Sequence, residues 1–258
     1  MKAFFISDLH LKDSNEPSSK ILLGFLLQLE NSLETTDPAT HLFLVGDIFD
    51  LWIASHTFFI EKFKAIVDQL KLLKSKGLEI HYFEGNHDLY LKNFWENELG
   101  IKVHSNASNF RLGKINVRVE HGDLINPEDK GYLFLYSFLR TQPMPWLAKN
   151  LPSSLVKLIG IKASSASREY TSVTKHIHQD KIRELIRNYV MSLEDQKFEL
   201  FISGHVHIQD DQRLTKEGSE IRCINLGSWF DFAKCFILSD SEAQFHKISS
   251  EGIILNKE

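Results

Sequence analysis

The chain has 258 residues, a formal net charge of −4 and an apolar fraction of 43%. That length suits one large domain carrying an insertion, with ample material for a core, and the slight acidity excludes a general nucleic-acid binder, whose footprint is basic. Cys223 and Cys235 stand in no CxxC pattern and read as reduced, buried thiols of a cytosolic protein. The chain opens directly on a strand rather than on a basic-then-apolar leader. Its longest apolar region, 42 to 60, is broken by Asp47, Asp50 and His56 and is not a membrane span.

Ala3-Phe4-Phe5-Ile6 reads as a strand running into Ser7-Asp8-Leu9-His10. After a polar loop with Ser18 or Ser19 as helix cap, Ile21, Leu22, Phe25, Leu26, Leu29 and Leu33 keep helical spacing. His41 to Val45 is a second strand, ending at Gly46-Asp47. A helix is expected over 58–76, with Phe59, Phe63, Ile66, Val67, Leu70 and Leu73 as its apolar set and Gly77 at C′. Leu78 to Tyr82 alternates as a strand does and leads into Gly85-Asn86-His87-Asp88. A short helix is expected over 93–99. Short strands follow from 101 to 120, with a hairpin turn at Leu112-Gly113-Lys114, and the last of them runs into His121-Gly122-Asp123. The β-α-β-α-β order argues for parallel pairing with helices packed on the sheet.

The stretch 128–190 has a different character. It shows no clear strand, and an aromatic run from Tyr132 to Leu139 is followed by pieces broken at Pro143, Pro145 and Pro152. A serine-rich turn over 164–168 precedes a helix marked by Ile182, Leu185, Ile186, Tyr189, Val190 and Leu193. Basic residues outnumber acidic ones here. The segment is either an ordinary helical insertion with a solvated basic face or a cap whose apolar surface and positive charge suit an amphiphilic anion or an anionic membrane. Beyond it, Phe198 to Ile202 is a strand running into Ser203-Gly204-His205-Val206-His207. Strands over 221–226, 234–238 and 243–248 complete the chain.

Carboxylate, amide and imidazole groups thus collect at the carboxyl ends of five strands, the edge where open α/β sheets bind ligands. Asp8, His10, Asp47, Asn86, His121, His205 and His207 form a candidate ligand set whose oxygen and nitrogen donors suit Mn²⁺, Fe²⁺ or Zn²⁺. The set exceeds one tetrahedral site and fits two divalent ions sharing Asp47. Asp8-x-His10 and His205-x-His207 are expected to be extended, so that residues i and i+2 face one cluster. His176 and His178 read as surface residues, and His41, His56, His81, His104 and His246 as non-ligands. Trp52, Trp146 and Trp229 read as packing side chains rather than stacking platforms.

Asp8-x-His10, Gly46-Asp47, Gly85-Asn86-His87-Asp88, His121 and Gly204-His205-x-His207 resemble the signature of the calcineurin-like metallophosphoesterases. The resemblance implies an α/β fold, a four-layer αββα sandwich of two mixed β-sheets with a helical cap. Residues 1–127 and 191–258 would form the catalytic body and 128–190 the cap. By position, Asp8, His10, Asp47 and His207 would hold one ion, and Asp47, Asn86, His121 and His205 the other, manganese first among the candidates. His87 matches the family's general acid and Asp88 the group that orients it.

A narrower similarity, to the UDP-2,3-diacylglucosamine hydrolases of lipid A synthesis, rests on three features. They are the segment from Gly46 to Ile53, His121-Gly122-Asp123 with Asp129 and Tyr132 downstream, and the helical insertion before Gly204-His205. It implies a nucleotide-linked glycolipid substrate cleaved at its pyrophosphate with release of UMP, and an insertion that receives acyl chains. Asp129, Tyr132, Phe134, Phe138, Trp146, Ser167 and Arg168 are the candidate contacts. It also implies a cytoplasmic protein in peripheral contact with an anionic inner membrane, with no nucleic-acid or protein partner. Two features depart from that branch: Arg stands there in place of His87, and Thr and Arg are usual in the segment where this chain has Ser203, Val206 and Ile208. The alternatives are a phosphodiesterase or phosphatase for a soluble nucleotide or phosphoprotein, and a non-catalytic interaction module.

Overall fold

The computed structural model describes residues 1–152, 155–156, 179–194 and 197–255. Alternation along the strands builds the first layer boundary. In β1 (Lys2–Ile6), Phe4 and Ile6 point to one side and Ala3 and Phe5 to the other. In β2 (His41–Val45), Leu42 and Leu44 face away from Phe43 and Val45 in the same way. Strands apolar on both faces must be covered on both. These two and β4 (Glu79–Phe83) and β6 (Lys102–His104) are parallel neighbours, and β12 (Lys234–Ser239) and β13 (Ala243–Lys247) extend the sheet antiparallel beyond β1. The order is β13-β12-β1-β2-β4-β6.

The second sheet has the order β10-β11-β9-β8-β7. It comprises β7 (Ser108–Leu112), β8 (Ile115–Val119), β9 (Leu200–Ser203), β10 (Asp210–Lys216) and β11 (Ser219–Asn225). Here β8, β9 and β11 are parallel and the hairpin partners β7 and β10 antiparallel. Val117, Val119, Leu200, Ile202 and Ile224 pack against Phe5, Phe43, Phe83 and Phe236 of the first sheet, and the Phe5 and Phe43 rings stack at 4.4 Å. A two-stranded pair, β3 (Trp52–Ile53) with β5 (Asp88–Leu89), flanks the site.

Helices cover both outer faces. Leu22, Phe25, Leu26 and Leu29 of α1 (Pro17–Ser32) join Ile66, Val67, Leu70 and Leu73 of α3 (Lys64–Ser75) over the first sheet. The fourth layer is α6 (Gln179–Ser192), whose Ile182, Ile186 and Val190 pack on Phe201, Leu214, Ile221 and Cys223. The mixed four-layer αββα arrangement expected from the resemblance is therefore present. The cap boundary at 190 is corrected, because α6 buries its apolar face on the second sheet and belongs to the body. Between β8 and β9 the other described helices are α4 (Lys130–Leu139) and α5 (Pro143–Asn150).

Three local readings also change. Helix α1 starts two or three residues earlier than Ser18 or Ser19 would place it: Glu16 is the N-cap residue and Pro17 opens the helix, where its missing N–H costs nothing. Ser19 instead donates its hydroxyl to Asp13 O at 2.6 Å. The helix expected over 58–76 is two, α2 (Thr57–Lys62) and α3, separated at Phe63, whose buried ring packs 4.5 Å from Phe49. Gly77 does close α3, at φ 97 with Leu78 N–H bonded to Leu73 O, the Schellman pattern. The short helix expected over 93–99 is a π-turn at Lys92–Glu96. Cys223 and Cys235 are buried free thiols, and burial pushes Cys223 up to about 12.

Candidate metal centre

The ligand-bearing loops are not extended. Asp8, His10, Asp47, His205 and His207 all have positive φ, between 50 and 69. Each such non-glycine residue costs on the order of 1 kcal/mol or more and persists only where its surroundings impose it. The expectation that i and i+2 would align along an extended chain is corrected: left-handed turns aim these side chains. Backbone bonds between loops hold the turns in place. Asp8 N–H donates to Gly46 O at 3.1 Å, His10 N–H to Asp47 O at 3.0 Å and Gly204 N–H to His121 O at 2.8 Å. Two glycines leave room for the ligands. A Cβ on Gly46 would lie 2.2 Å from His121 Nδ1, and one on Gly85 2.1 Å from Asp47 Oδ1.

Three clusters result: Asp8, His10 and His207; Asp47, His121 and His205; and His10, Asp47 and His87. Two donors about 2.1 Å from one ion, set at right angles, lie about 3 Å apart, and the spacings here match. His10 Nε2 is 3.0 Å from His207 Nε2, which is 3.2 Å from Asp8 Oδ1. Asn86 Oδ1 is 3.1 Å from His205 Nδ1 and 3.3 Å from His121 Nε2. Asp47 Oδ2 faces both groups, 3.9 Å from His10 Nε2 and 3.5 Å from His121 Nε2. The donors thus fit two divalent ions with Asp47 between them.

The electrostatics agree with ligation, which requires charged carboxylates and neutral imidazoles. Burial opposes the Asp47 charge, but the His121, His87 and His10 rings around it hold its carboxyl well below the usual range. Asp8 is lowered too, burial being outweighed by the His207 hydrogen bond and charge. Burial lowers His10 and His205 to about 4, so both rings are neutral at physiological pH. His121 differs: burial is overcome by the Asp47 and Asp8 carboxylates, which raise it well above its ordinary value. Its Nδ1–H donates to Val45 O at 3.0 Å, which leaves Nε2 toward Asp47.

His87 lies beside this set, its ring meeting His10 edge-on at 4.8 Å, and its position in the third cluster makes it a candidate ligand as well as a candidate acid. Its Nδ1 is 2.9 Å from the Asp50 carbonyl, an acceptor, so Nδ1 carries the proton. The orienting role expected of Asp88 falls to that carbonyl. Asp88 accepts from Asp47 N, Ile48 N, Gly85 N and Tyr82 Oη at 2.7–3.1 Å, filling its four acceptor positions. It ties the Gly46-Asp47 loop to the Gly85-Asn86 loop. Burial and the Asp47 charge push it up to about 6 despite the Tyr82 and Gly85 bonds.

Of the expected cap contacts, Tyr132 reaches the centre. Its ring lies 6.0 Å from that of His205, and its hydroxyl donates to Asp123 Oδ2 at 2.5 Å. Asp129 caps α4, accepting from Tyr132 N at 2.9 Å. Phe134, Phe138 and Trp146 face solvent, Phe134 at 75% and Trp146 at 67% exposure, so Trp146 is not the packing residue its neighbours suggested. Trp52 and Trp229 are buried. Ser167, Arg168, His176 and His178 lie outside the described residues. Two bonds dock these helices: Tyr90 Oη donates to Leu139 O at 2.5 Å, and His56 Nε2 to Ala148 O at 2.7 Å. A cavity of about 190 Å³ beside His121 and Asp123 runs between Arg118 and Glu120 of the sheet and Tyr136 and Tyr189 of the helices. His41, His56, His81, His104 and His246 fall outside the three clusters. Asp123, Tyr82 and the Asp50 carbonyl were not foreseen. The motif His121-Gly122-Asp123 pointed to the first, and nothing local marked the others.

The strand-end ligand row on a four-layer sandwich defines a metal-dependent phosphoester hydrolase. The profile of the calcineurin-like phosphoesterases matches residues 1–209, and the chain belongs to that family. It is 27% identical over 261 residues to a UDP-2,3-diacylglucosamine hydrolase of Enterobacter sp. (strain 638), covering 99% of this chain and 98% of that one. A protein of the same name from Stutzerimonas stutzeri (strain A1501) is 28% identical over 226 residues, 87% and 89% of the two chains. Among solved structures, Yfce, a phosphoesterase from E. coli, aligns over 99% of this chain and 97% of that one, with 16% identity and a TM-score of 0.48.

Proposed function

We propose that this chain hydrolyses the pyrophosphate bond of UDP-2,3-diacylglucosamine, giving UMP and 2,3-diacylglucosamine 1-phosphate. Near full-length similarity to hydrolases of that name supports the reading. The structural observation that carries it is α4, which leaves the Asp123 loop, sets Tyr132 beside His205 and then exposes Phe134 and Phe138. A soluble substrate has no use for such a surface next to the metal centre.

In this reading Asp8, His10, Asp47 and His207 hold one ion, and Asp47, Asn86, His121 and His205 the other, with Mn²⁺ as the metal. The two ions, when bound, neutralise charge on the phosphoryl group and acidify water for in-line attack. Asp47 and Asp8 keep the site anionic before loading, and burial keeps His10 and His205 neutral for ligation. His87, its Nδ1–H held by Asp50 O, offers Nε2 to the leaving oxygen and donates a proton there as an imidazolium. Asp88 keeps the Asp47 and Asn86 loops in register. Within the expected cap, the exposed aromatics of α4 and α5 receive the acyl chains. No helix among the described residues is long and apolar enough to cross a membrane. The protein works from the cytoplasm and meets the anionic membrane face through this surface.

The test compares UDP-2,3-diacylglucosamine with UDP-glucosamine on manganese-loaded protein. Each buried methylene contributes about 0.8 kcal/mol, so kcat/KM for the acylated substrate should be higher by orders of magnitude. Equal values would discard the acyl reading in favour of a soluble nucleotide substrate.

A further inference from the structure

The cavity beside His121 and Asp123 differs in chemistry from the outer face of α4. Along β8, Val117 and Val119 face the core between the sheets, so Arg118 and, just past the strand, Glu120 face the other way. They meet there as a pair, Arg118 Nε–H donating to Glu120 Oε2 at 3.1 Å, and Tyr189 of α6 bonds the same carboxylate. Tyr136 of α4 lines the cavity too. Its hydroxyl donates at 3.3 Å to Oδ1 of Asn106, in the short connection between β6 and β7, and the Arg140 guanidinium lies 3.7 Å over its ring. Helix α4 is thus two-sided. Tyr132 and Tyr136, four residues apart, turn their hydroxyls to the body, while Phe134, Leu135 and Phe138 face solvent.

Size and charge limit what the cavity can take. Its volume, about 190 Å³, is below the roughly 300–1,000 Å³ of a pocket that encloses a drug-sized ligand. It therefore holds one part of a molecule whose phosphate lies at the metal centre. Among the described lining residues are three carboxylates, Glu84, Glu120 and Asp123, and one guanidinium, Arg118. That balance repels a phosphate and accepts hydroxyl and N–H donors. The tyrosine rings supply flat walls. An acyl chain here would leave the polar groups without partners, which destabilises a complex. A neutral, flat, hydroxyl-bearing group satisfies them.

We propose that this cavity is the nucleoside subsite. The ribose and base of the substrate enter between the Arg118–Glu120 pair and the two tyrosines, while the diacylated sugar leaves the metal centre toward Phe134 and Phe138 on the outer face of α4. This rests on the nucleotide-linked glycolipid reading above. Glu120 and Asp123, each with more acceptor positions than its protein partners fill, accept from the ribose hydroxyls, and the Asn106 amide donates to a carbonyl oxygen of the base. Two such hydrogen bonds change affinity roughly 5- to 150-fold.

Calorimetry on manganese-loaded protein compares UMP with ribose 5-phosphate and inorganic phosphate. The wild type should bind UMP at least about fivefold more tightly than inorganic phosphate, with ribose 5-phosphate between them. Ala107→Phe, which fills the cavity from its rim, should bring the ratio of UMP to phosphate affinity close to one. Asn106→Ala, at an exposed position, should lower the ratio by removing one donor, and it decides the matter if Ala107→Phe does not fold. A wild type that binds UMP and phosphate alike, or an unchanged ratio in the variants, would overturn the proposal. So would loss of a manganese equivalent in Asn106→Ala, by making the connection a support for the metal centre. Cleavage of UDP-2,3-diacylglucosamine without any preference for UMP would sink this inference and leave the glycolipid reading standing. A preference for UMP that Ala107→Phe abolishes, in a protein that does not cleave UDP-2,3-diacylglucosamine, would keep this inference and sink the glycolipid reading instead.

Discussion

In the loops that carry Asp8, Asp47 and His121, every candidate ligand side chain is buried, each is bonded to a neighbouring loop, and the backbone holds left-handed turns at Asp8 and Asp47. Helix α4 does the reverse. It begins a few residues beyond His121, is pinned at its two ends by Asp129 and by Tyr90, and presents Phe134, Leu135 and Phe138 to solvent. Burying one such side chain would stabilise the fold by about 1.5–3 kcal/mol, and α4 forgoes that. The difference separates two ways of making a site. The floor gains precision from strain and mutual bonding, while α4 keeps apolar surface that a ligand can cover.

The largest effect should come from the floor. Asp47→Ala removes the carboxylate that faces both groups, so metal analysis should find both ions depleted, whereas His10→Ala should deplete mainly one. Two full equivalents in Asp47→Ala would refute a shared ligand. Next is His87→Ala, expected to keep both ions while turnover falls roughly 10²–10⁴-fold, the usual worth of a general acid. If an ion is lost with the ring, the cluster of His10, Asp47 and His87 is a binding site and His87 a ligand. The smallest effect contrasts helices. Ile186→Ala in α6 should cost about 2–5 kcal/mol in denaturant unfolding, because it opens a cavity against the second sheet. Phe134→Ser in α4 should stay within about 0.5 kcal/mol, as exposed positions do, while lowering glycolipid turnover relative to a small phosphodiester. Equal stability losses would show that α4 is packed as α6 is.

Much of the candidate metal centre was legible because its signals are local. Asp8-Leu9-His10, Gly46-Asp47 and Gly85-Asn86-His87-Asp88 each stand where an apolar run stops, and the side chains they carry have few other reasons to cluster. The β-α-β order argued for a parallel sheet with helices packed on it, and 3.6-residue spacing marked α1, α3 and α6. β10 escaped notice because its sequence, Asp210 to Lys216, is polar except for Leu214, as an edge strand can be.

The sequence by itself determined which residues are candidates for the chemistry and the order in which strands deliver them, since both follow from residue type and periodicity. Tertiary structure decided what those residues touch. Backbone hydrogen bonds between distant loops impose the left-handed turns at Asp8 and Asp47, so no rule of extended spacing could aim their side chains. The four acceptor positions of Asp88 are filled by groups from two stretches, Asp47-Ile48 and Tyr82 to Gly85, which turns an expected partner of His87 into a brace between loops. The amphipathic pattern of α6 said that one face is buried but not against what, and only the position of the second sheet made it the fourth layer. Phe230 is one aromatic among many in the sequence, and only the fold stacks it on the His10 ring beside the buried Trp229.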